Sequence, residues 1–257
     1  MQRARGQVAA TADRDLPLIG FHRERQRIAE AVRKHEPLLL LGPPGAGKTR
    51  LLRFALECAS GTGVYLRFVS VFHNLLSSFA RELIAGGHLP VRAMVVGLDP
   101  LRWCTRQTSV HLKGLIWRAV ESAPRLVILD GVYDASAPVY RFFQRVYYTP
   151  GVTMFAAARD PVSLGALHKL FWDPRQTVCV PPLDDHGAAS LFDSATERFG
   201  LHRLELGDFR TRTLECARGN PGQIVEMCRL AADPAYVSGR HILFAPLRID
   251  VMARFLP

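Results

Sequence analysis

Cysteine is sparse in this chain and unpaired in pattern. The five residues Cys58, Cys104, Cys179, Cys216 and Cys228 are odd in number and form no C-x-x-C pair, which argues against a disulfide framework or a cysteine-ligated zinc site. They are expected to be reduced packing residues. No apolar stretch approaches the length of a membrane span, and Met1-Gln2-Arg3-Ala4-Arg5 leads into Asp13-Arg14-Asp15 rather than into an apolar signal core. The expectation is therefore a cytoplasmic protein with no membrane partner. Internal repeats and low-complexity tracts are also missing. Lysine is scarce too: Lys34, Lys48, Lys113 and Lys169 stand against twenty-nine arginines among 33 basic residues. Such a skew follows from a GC-rich genome, so the net charge of +10 is not by itself proof of a polyanion partner. Its distribution says more, because the stretch from Arg50 to Arg125 carries six of those net charges.

What the chain does have is apolar content of 48% over 257 residues, enough for the core of one α/β domain with a small satellite. Residues 1–15 are polar and expected to be a flexible arm. From Leu16 the pattern changes. An amphipathic helix is expected over His22 to His35, where Ile28, Ala31 and Val32 recur at helical spacing, and the apolar run Leu38-Leu39-Leu40-Leu41 follows as a strand. Val64 to Val71 is rich in β-formers, and Leu75, Leu76, Phe79, Leu83 and Ile84 mark one face of a helix. His88 to Thr108, with Pro90, Gly97 and Pro100, lacks a period and is expected to be an insertion or long loop. A helix around Leu112 to Ala119 leads to the strand Leu126-Val127-Ile128-Leu129-Asp130. A helix over Val139–Tyr147, a strand over Val152–Ala158, a helix near Leu164–Leu170 and a short strand Thr177–Val180 complete an alternation that predicts five parallel strands with flanking helices.

From Asp184 onward only helices are expected: Gly187–Phe199, Gly207–Ala217 and Pro221–Ala232, the last with Asn220 as its cap and Pro221 at its first position. The tail from Tyr236 reads as a short hairpin or extended segment. The predicted organisation is an arm (1–15), an α/β nucleotide-binding domain (16–183), a small helical lid (184–234) and an extended tail (235–257).

Gly42-Pro43-Pro44-Gly45-Ala46-Gly47-Lys48-Thr49 matches G-x-x-x-x-G-K-[ST] between an apolar strand and a helix. Glycines let consecutive backbone N–H groups face a phosphate, Lys48 neutralises β/γ charge, and the Thr49 hydroxyl is an Mg²⁺ ligand at a helix N-terminus whose dipole favours anions. Nucleoside triphosphate binding by Pro44, Gly45, Ala46, Gly47, Lys48, Thr49 and Arg50 follows. About eighty residues later, Asp130 ends a buried apolar strand, where a carboxylate is placed to hold the metal (the Walker B role).

The order of helix, P-loop, Asp130 strand, Arg159 strand and helical lid resembles the AAA+ ATPases. Within them it is similar to the branch of origin-recognition ATPases, signalling STAND ATPases and transposition-helper ATPases of the TniB kind. Leu18-Ile19-Gly20-Phe21-His22-Arg23-Glu24 resembles the branch's hhGRxxE entry motif, with Phe21 in place of Arg. Val180-Pro181-Pro182-Leu183-Asp184-Asp185, followed by Ala188-Ala189-Ser190-Leu191-Phe192, resembles the entry to its lid, and Gly219-Asn220-Pro221-Gly222 resembles its G-N-P motif. The likeness runs from about Leu16 to Asp233.

This resemblance implies ATP and Mg²⁺ as cofactors, with Ile19 and Gly20 lining the adenine pocket and Arg159 acting as a sensor near the γ-phosphate. It also implies homo-oligomers in which an arginine reaches a neighbour's site, for which Arg141 and Arg145 are candidates. The lid arginine expected just after G-N-P is replaced by Gly222 and Gln223, leaving Arg218 or Arg229 as substitutes. The largest departure is Gly131, which stands where such ATPases place the glutamate that activates water. Asp134 replaces that base only if its strand ends early, so the expectation is tight binding with slow hydrolysis. Two functions compete. One is a double-stranded-DNA-associated ATPase, contacting phosphates through Arg92, Arg102, Arg106 and Lys113 and recruiting a separate effector protein. The other is a STAND-like switch that acts on proteins without nucleic acid. A small-molecule kinase fits the predicted lid less well.

Overall fold

The four leucines of β1 (Leu38–Leu41) are all buried, as expected of a strand covered on both faces. The structure, a computed structural model, describes residues 16–88, 99–123 and 125–255. The arm expected over 1–15 and the candidate Arg92 lie outside them. Two units divide the chain: Arg23–Pro43 with Lys48–Val180, and the remainder, which includes Pro44–Gly47 and the segment from Pro181 onward.

In the first unit β1 joins β2 (Gly63–Arg67), β3 (Arg125–Val132), β4 (Val152–Ala158) and β5 (Thr177–Cys179) in a parallel sheet of order β2-β3-β4-β1-β5. The connecting helices are α1 (His22–Lys34), α2 (Lys48–Cys58), α3 (Phe72–Ala85), α4 (Pro100–Arg106), α5 (Ser109–Ser122) and α6 (Ala137–Tyr147). The helix positions foreseen from apolar spacing are the buried ones: Leu75, Leu76, Phe79 and Leu83 in α3, and Leu112, Leu115, Ile116 and Ala119 in α5. Thr108 caps α5 by accepting from the His111 N–H at 3.2 Å. The sheet face is filled by Phe79, Phe142 and Phe143, the first and last stacked at 6.2 Å between centroids. Emptying the Phe79 site by substitution with Ala would cost about 3–5 kcal/mol.

Four details differ from the sequence reading. The strand expected over Val64–Val71 ends at Arg67, paired with Asp130: Phe68 N–H still reaches the Asp130 carbonyl at 2.8 Å, but the next β3 residue, Gly131, lies in the irregular stretch between Leu129 and Val132 and has no partner on β2. The insertion contains α4, opened by Pro100 and anchored by the buried Cys104. The helix expected near Leu164–Leu170 is a pair of 3₁₀ turns broken at Gly165 (φ 55°), where any side chain would strike the Ala135 backbone.

The fourth difference is the tail of the second unit. Its helices are α7 (Asp185–Arg198), α8 (Gly207–Ala217), α9 (Pro221–Ala231) and α10 (Phe244–Phe255), with a small antiparallel pair β6 (Val237–Ser238) and β7 (His241–Ile242) before α10. The tail thus holds a short hairpin, one of the two forms expected, followed by a helix where strand was expected around Pro246. Pro246 falls in the first turn of α10, where its missing N–H leaves no bond unmade, and Leu247 and Val251 bury one face at i,i+4 spacing. Asp184 caps α7 through the Gly187 N–H at 2.7 Å, and Asn220 caps α9 through the Gln223 N–H at 3.1 Å. Among the described residues no helix is long and apolar enough to cross a membrane.

Candidate nucleotide site

The sheet unit brings four of the expected residues together at the C-terminal ends of its strands. Gly42, leaving β1, donates its N–H to the Arg159 carbonyl, just past β4, at 3.2 Å. Lys48 opens α2, and its Nζ donates to the Gly42 and Pro43 carbonyls at 2.5 and 2.8 Å. Burial pulls the Lys48 ammonium below the ordinary lysine range, and the Asp130 charge opposes that shift. Thr49 Oγ1 donates to Asp130 Oδ2 at 2.8 Å, across 81 positions of sequence. Asp130 is 8% exposed, and the same Oδ2 also accepts from the Tyr65 hydroxyl. Burial, and secondarily the Asp130 carboxylate, push the Tyr65 phenol well above its ordinary value. Tyr65 was not foreseen. It stands two residues before Arg67, the register partner of Asp130, and only knowledge that β2 neighbours β3 would have drawn it in.

The P-loop tip, Pro44–Gly47, belongs to the second unit. Gly45 (φ 79°) and Gly47 (φ 92°) hold left-handed backbone that L side chains rarely adopt. Gly222 N–H donates to the Gly45 carbonyl at 2.9 Å and Asn220 Nδ2 to the Pro44 carbonyl at 2.9 Å, so the G-N-P segment binds the tip directly. A Cβ on Gly45 would lie 2.5 Å from Asn220 Oδ1 and 2.5 Å from the Phe255 ring. The ring of Phe21, the residue that departs from the hhGRxxE pattern, lies 3.4 Å from a Cβ placed on Gly47. Phe21 is itself buried and left-handed (φ 58°). Gly20 (φ 74°) abuts Leu183 of the expected lid-entry motif, and Ile19 is half-buried beside it.

No family model matches the chain, and no curated protein matches it. Solved structures do. The crystal structure of Cdc6p from Pyrobaculum aerophilum superposes with TM-score 0.61 at 16% identity, over 94% of this chain and 69% of that one. The Walker-type ATPase PABY2304 of Pyrococcus abyssi gives 0.56 at 16%, over 92% and 72%. The Thermotoga maritima RuvB Holliday junction branch migration motor gives 0.53 at 13%, over 92% and 70%. The chain has a P-loop NTPase-like fold.

On this fold the remaining candidates separate. Arg159 adjoins the P-loop through its backbone, and its half-exposed guanidinium lies 3.9 Å from Asp160. Gly131 is an exposed bulge residue with φ 69°, and β3 continues past it to Val132, so the early strand end that Asp134 needed does not occur. Asp134 instead sits in a left-handed turn (φ 43°) with its N–H on the Ser163 carbonyl at 2.8 Å. Arg145 is occupied within its own unit, pairing with Glu121 at 3.0 Å and lying 3.9 Å over the Trp117 ring, whereas Arg141 is exposed. Arg229 is forked onto Glu226 at 2.7 and 2.8 Å, and Arg218 is an exposed left-handed residue after α8. Arg50 is half-buried in the first turn of α2. Arg102 and Arg106 are exposed on α4, and Lys113 of α5 sits 5.0 Å over the Phe72 ring.

Proposed function

We propose that this chain is an ATP-binding switch of the AAA+ kind that associates with double-stranded DNA, assembles in its ATP form, recruits a separate effector protein and hydrolyses slowly. The observation that carries the nucleotide reading is the Thr49–Asp130 pair at 2.8 Å beside Lys48. Both side chains offer hard oxygen donors, the chemistry Mg²⁺ prefers, and a bound Mg²⁺ would polarise phosphate oxygens there. Lys48 would leave the Gly42 and Pro43 carbonyls for the β/γ-phosphates, and α2 would direct its N-terminal dipole at the same charge. Arg159 would sense the γ-phosphate, while Ile19 and Gly20 would hold the adenine. Slow hydrolysis is supported by the bulged Gly131, which offers no carboxylate to activate water.

DNA association is supported by the exposed arginines of α4 and by the likeness to one structural neighbour, a Holliday junction branch migration motor. Assembly is supported by another, described by its self-assembly: katanin, TM-score 0.53 at 18% identity, over 93% of this chain and 82% of that one. The exposed Arg141 is then the better finger candidate, since Arg145 is held in place by Glu121. The position of Arg159 next to Gly42 also suits a STAND-like protein switch. Fluorescence anisotropy of a labelled duplex, without nucleotide, with ADP·Mg and with ATP·Mg at two salt concentrations, separates the two. Salt-sensitive binding strengthened by ATP, and weakened by Ala at Arg102, Arg106 and Lys113, supports the DNA reading. No binding in any state turns the assignment to protein signalling.

A further inference from the structure

A cavity lies within the sheet unit, at the end of the sheet opposite the candidate nucleotide residues. Those residues lie near or just after the C-terminal ends of β1, β3 and β4. The cavity, of about 560 Å³, is instead formed where the last turns of α1 and α2 meet the first residues of β3 and β4. That volume suits a small organic molecule. Its mouth is polar and exposed (Arg33, His35, Ser60, Thr62), and its floor is buried (Arg125, Leu126, Thr153).

The floor poses a charge problem. Arg125 is only 4% exposed, yet it makes no ion pair among the described residues. Its Nη2 donates to the Ala119 carbonyl at 2.7 Å and its Nε to the Ala123 carbonyl at 3.4 Å, while Nη1 has no acceptor among the described residues. A buried guanidinium without an anion is costly to keep. Among the described residues no Asp or Glu is in the lining, and the nearby His88 is itself pushed toward neutrality by burial and by the Arg125 charge. The mouth also stores backbone strain: His35 (φ 56°) and Ser60 (φ 49°) are both left-handed, and His35 Nδ1 is held 3.3 Å from Thr153 Oγ1. Apolar wall is supplied by Val32, Ala59 and Leu126.

We infer that this cavity binds a small organic monocarboxylate, with its apolar body against Val32, Ala59 and Leu126 and its carboxylate on the Arg125 guanidinium. One buried positive charge in a largely apolar wall matches a single carboxylate better than a multiply charged phosphate, which would be left partly uncompensated. The inference is independent of what the P-loop binds.

Cys58 lines the cavity and Cys179 is exposed on β5, so the two thiols supply a probe and a control. The full chain is alkylated with iodoacetamide in the presence of benzoate, benzamide or inorganic phosphate, and both cysteines are followed by peptide mass spectrometry. Benzoate at about ten times its dissociation constant should slow Cys58 about tenfold and leave Cys179 unchanged. Benzamide and phosphate should protect neither, and Arg125→Gln should remove the protection. Because Arg125 is buried, a second arm uses Thr62→Trp at the exposed mouth: benzoate should raise the melting temperature of the unaltered chain and of Lys48→Ala, but not of Thr62→Trp. Failure of benzoate in both arms, equal protection by phosphate, or loss of the effect in Lys48→Ala would each overturn the proposal.

Discussion

Thr49 Oγ1 and Asp130 Oδ2 meet at 2.8 Å, joining the first turn of the P-loop helix to the neighbouring strand but one in the sheet. On the proposed nucleotide reading, their oxygens converge where a divalent cation and a triphosphate would be held. Replacing Asp130 by Asn keeps the shape and removes the charge. Since a hydrogen bond or contact to a charged group is worth about 1.5–3 kcal/mol, ATP·Mg affinity should fall about tenfold to a hundredfold. Isothermal titration with and without Mg²⁺ checks this: the variant's affinity should become nearly indifferent to the metal.

Tyr65 shares Oδ2 with Thr49. Tyr65→Phe keeps the ring and deletes the donor to a carboxylate that is 8% exposed. Urea unfolding should show a loss of about 1.5–3 kcal/mol. A change below the scatter of the measurement would mean that water replaces the phenol without cost.

Lys48 titrates low because burial disfavours its charged form. In the window between its folded value and the ordinary lysine value of 10.5, the unfolded chain holds more protons than the folded one. Stability contributed through Lys48 therefore rises as pH climbs through that window, having been reduced in full below it. Comparing unfolding free energies of the unaltered chain and Lys48→Met from neutral to alkaline pH tests the sign: the variant's advantage should shrink as pH rises.

Gly45 leaves no room for a side chain. Gly45→Ala adds a Cβ at φ 79° that meets Asn220 and Phe255 at 2.5 Å. The strain of a non-glycine residue there costs about 1–2 kcal/mol before the contacts are counted. Thermal unfolding should register the loss, and Phe255→Ala in the same chain should recover part of it, a coupling that a double-mutant cycle measures.

Gly131 is left-handed in a bulge, so restoring the missing acid should not restore its function. Turnover of the unaltered chain is expected below about 1 s⁻¹, at the low edge of the usual enzyme range. Gly131→Glu should leave it within about tenfold of that, far short of the roughly 10²–10⁴ that a placed general base provides. Steady-state phosphate release measures both.

Much of this was legible in the sequence because short-range signals carry it. The leucine run, the P-loop spacing and the apolar periods of α3 and α5 place the strands, the turn and the core faces without reference to anything distant. Asp130 was legible because an acid ends a buried apolar run. What stayed hidden depends on which strands are neighbours. Tyr65 matters because β2 lies beside β3, and the bulge at Gly131 exists only relative to the register of β4. The tail helix was missed because Pro246 reads as a breaker until it is known to occupy a first turn. Phe255, at the end of that helix, shared its concealment.

The most direct test of the nucleotide assignment is equilibrium binding of a fluorescent ATP analogue with Mg²⁺ to the full chain and to Lys48→Ala, whose folding is checked by circular dichroism. The account predicts saturable, Mg²⁺-dependent binding to the unaltered chain and its loss by at least about a hundredfold in the variant, equivalent to about 2.7 kcal/mol. Unchanged affinity in a folded Lys48→Ala protein would contradict it.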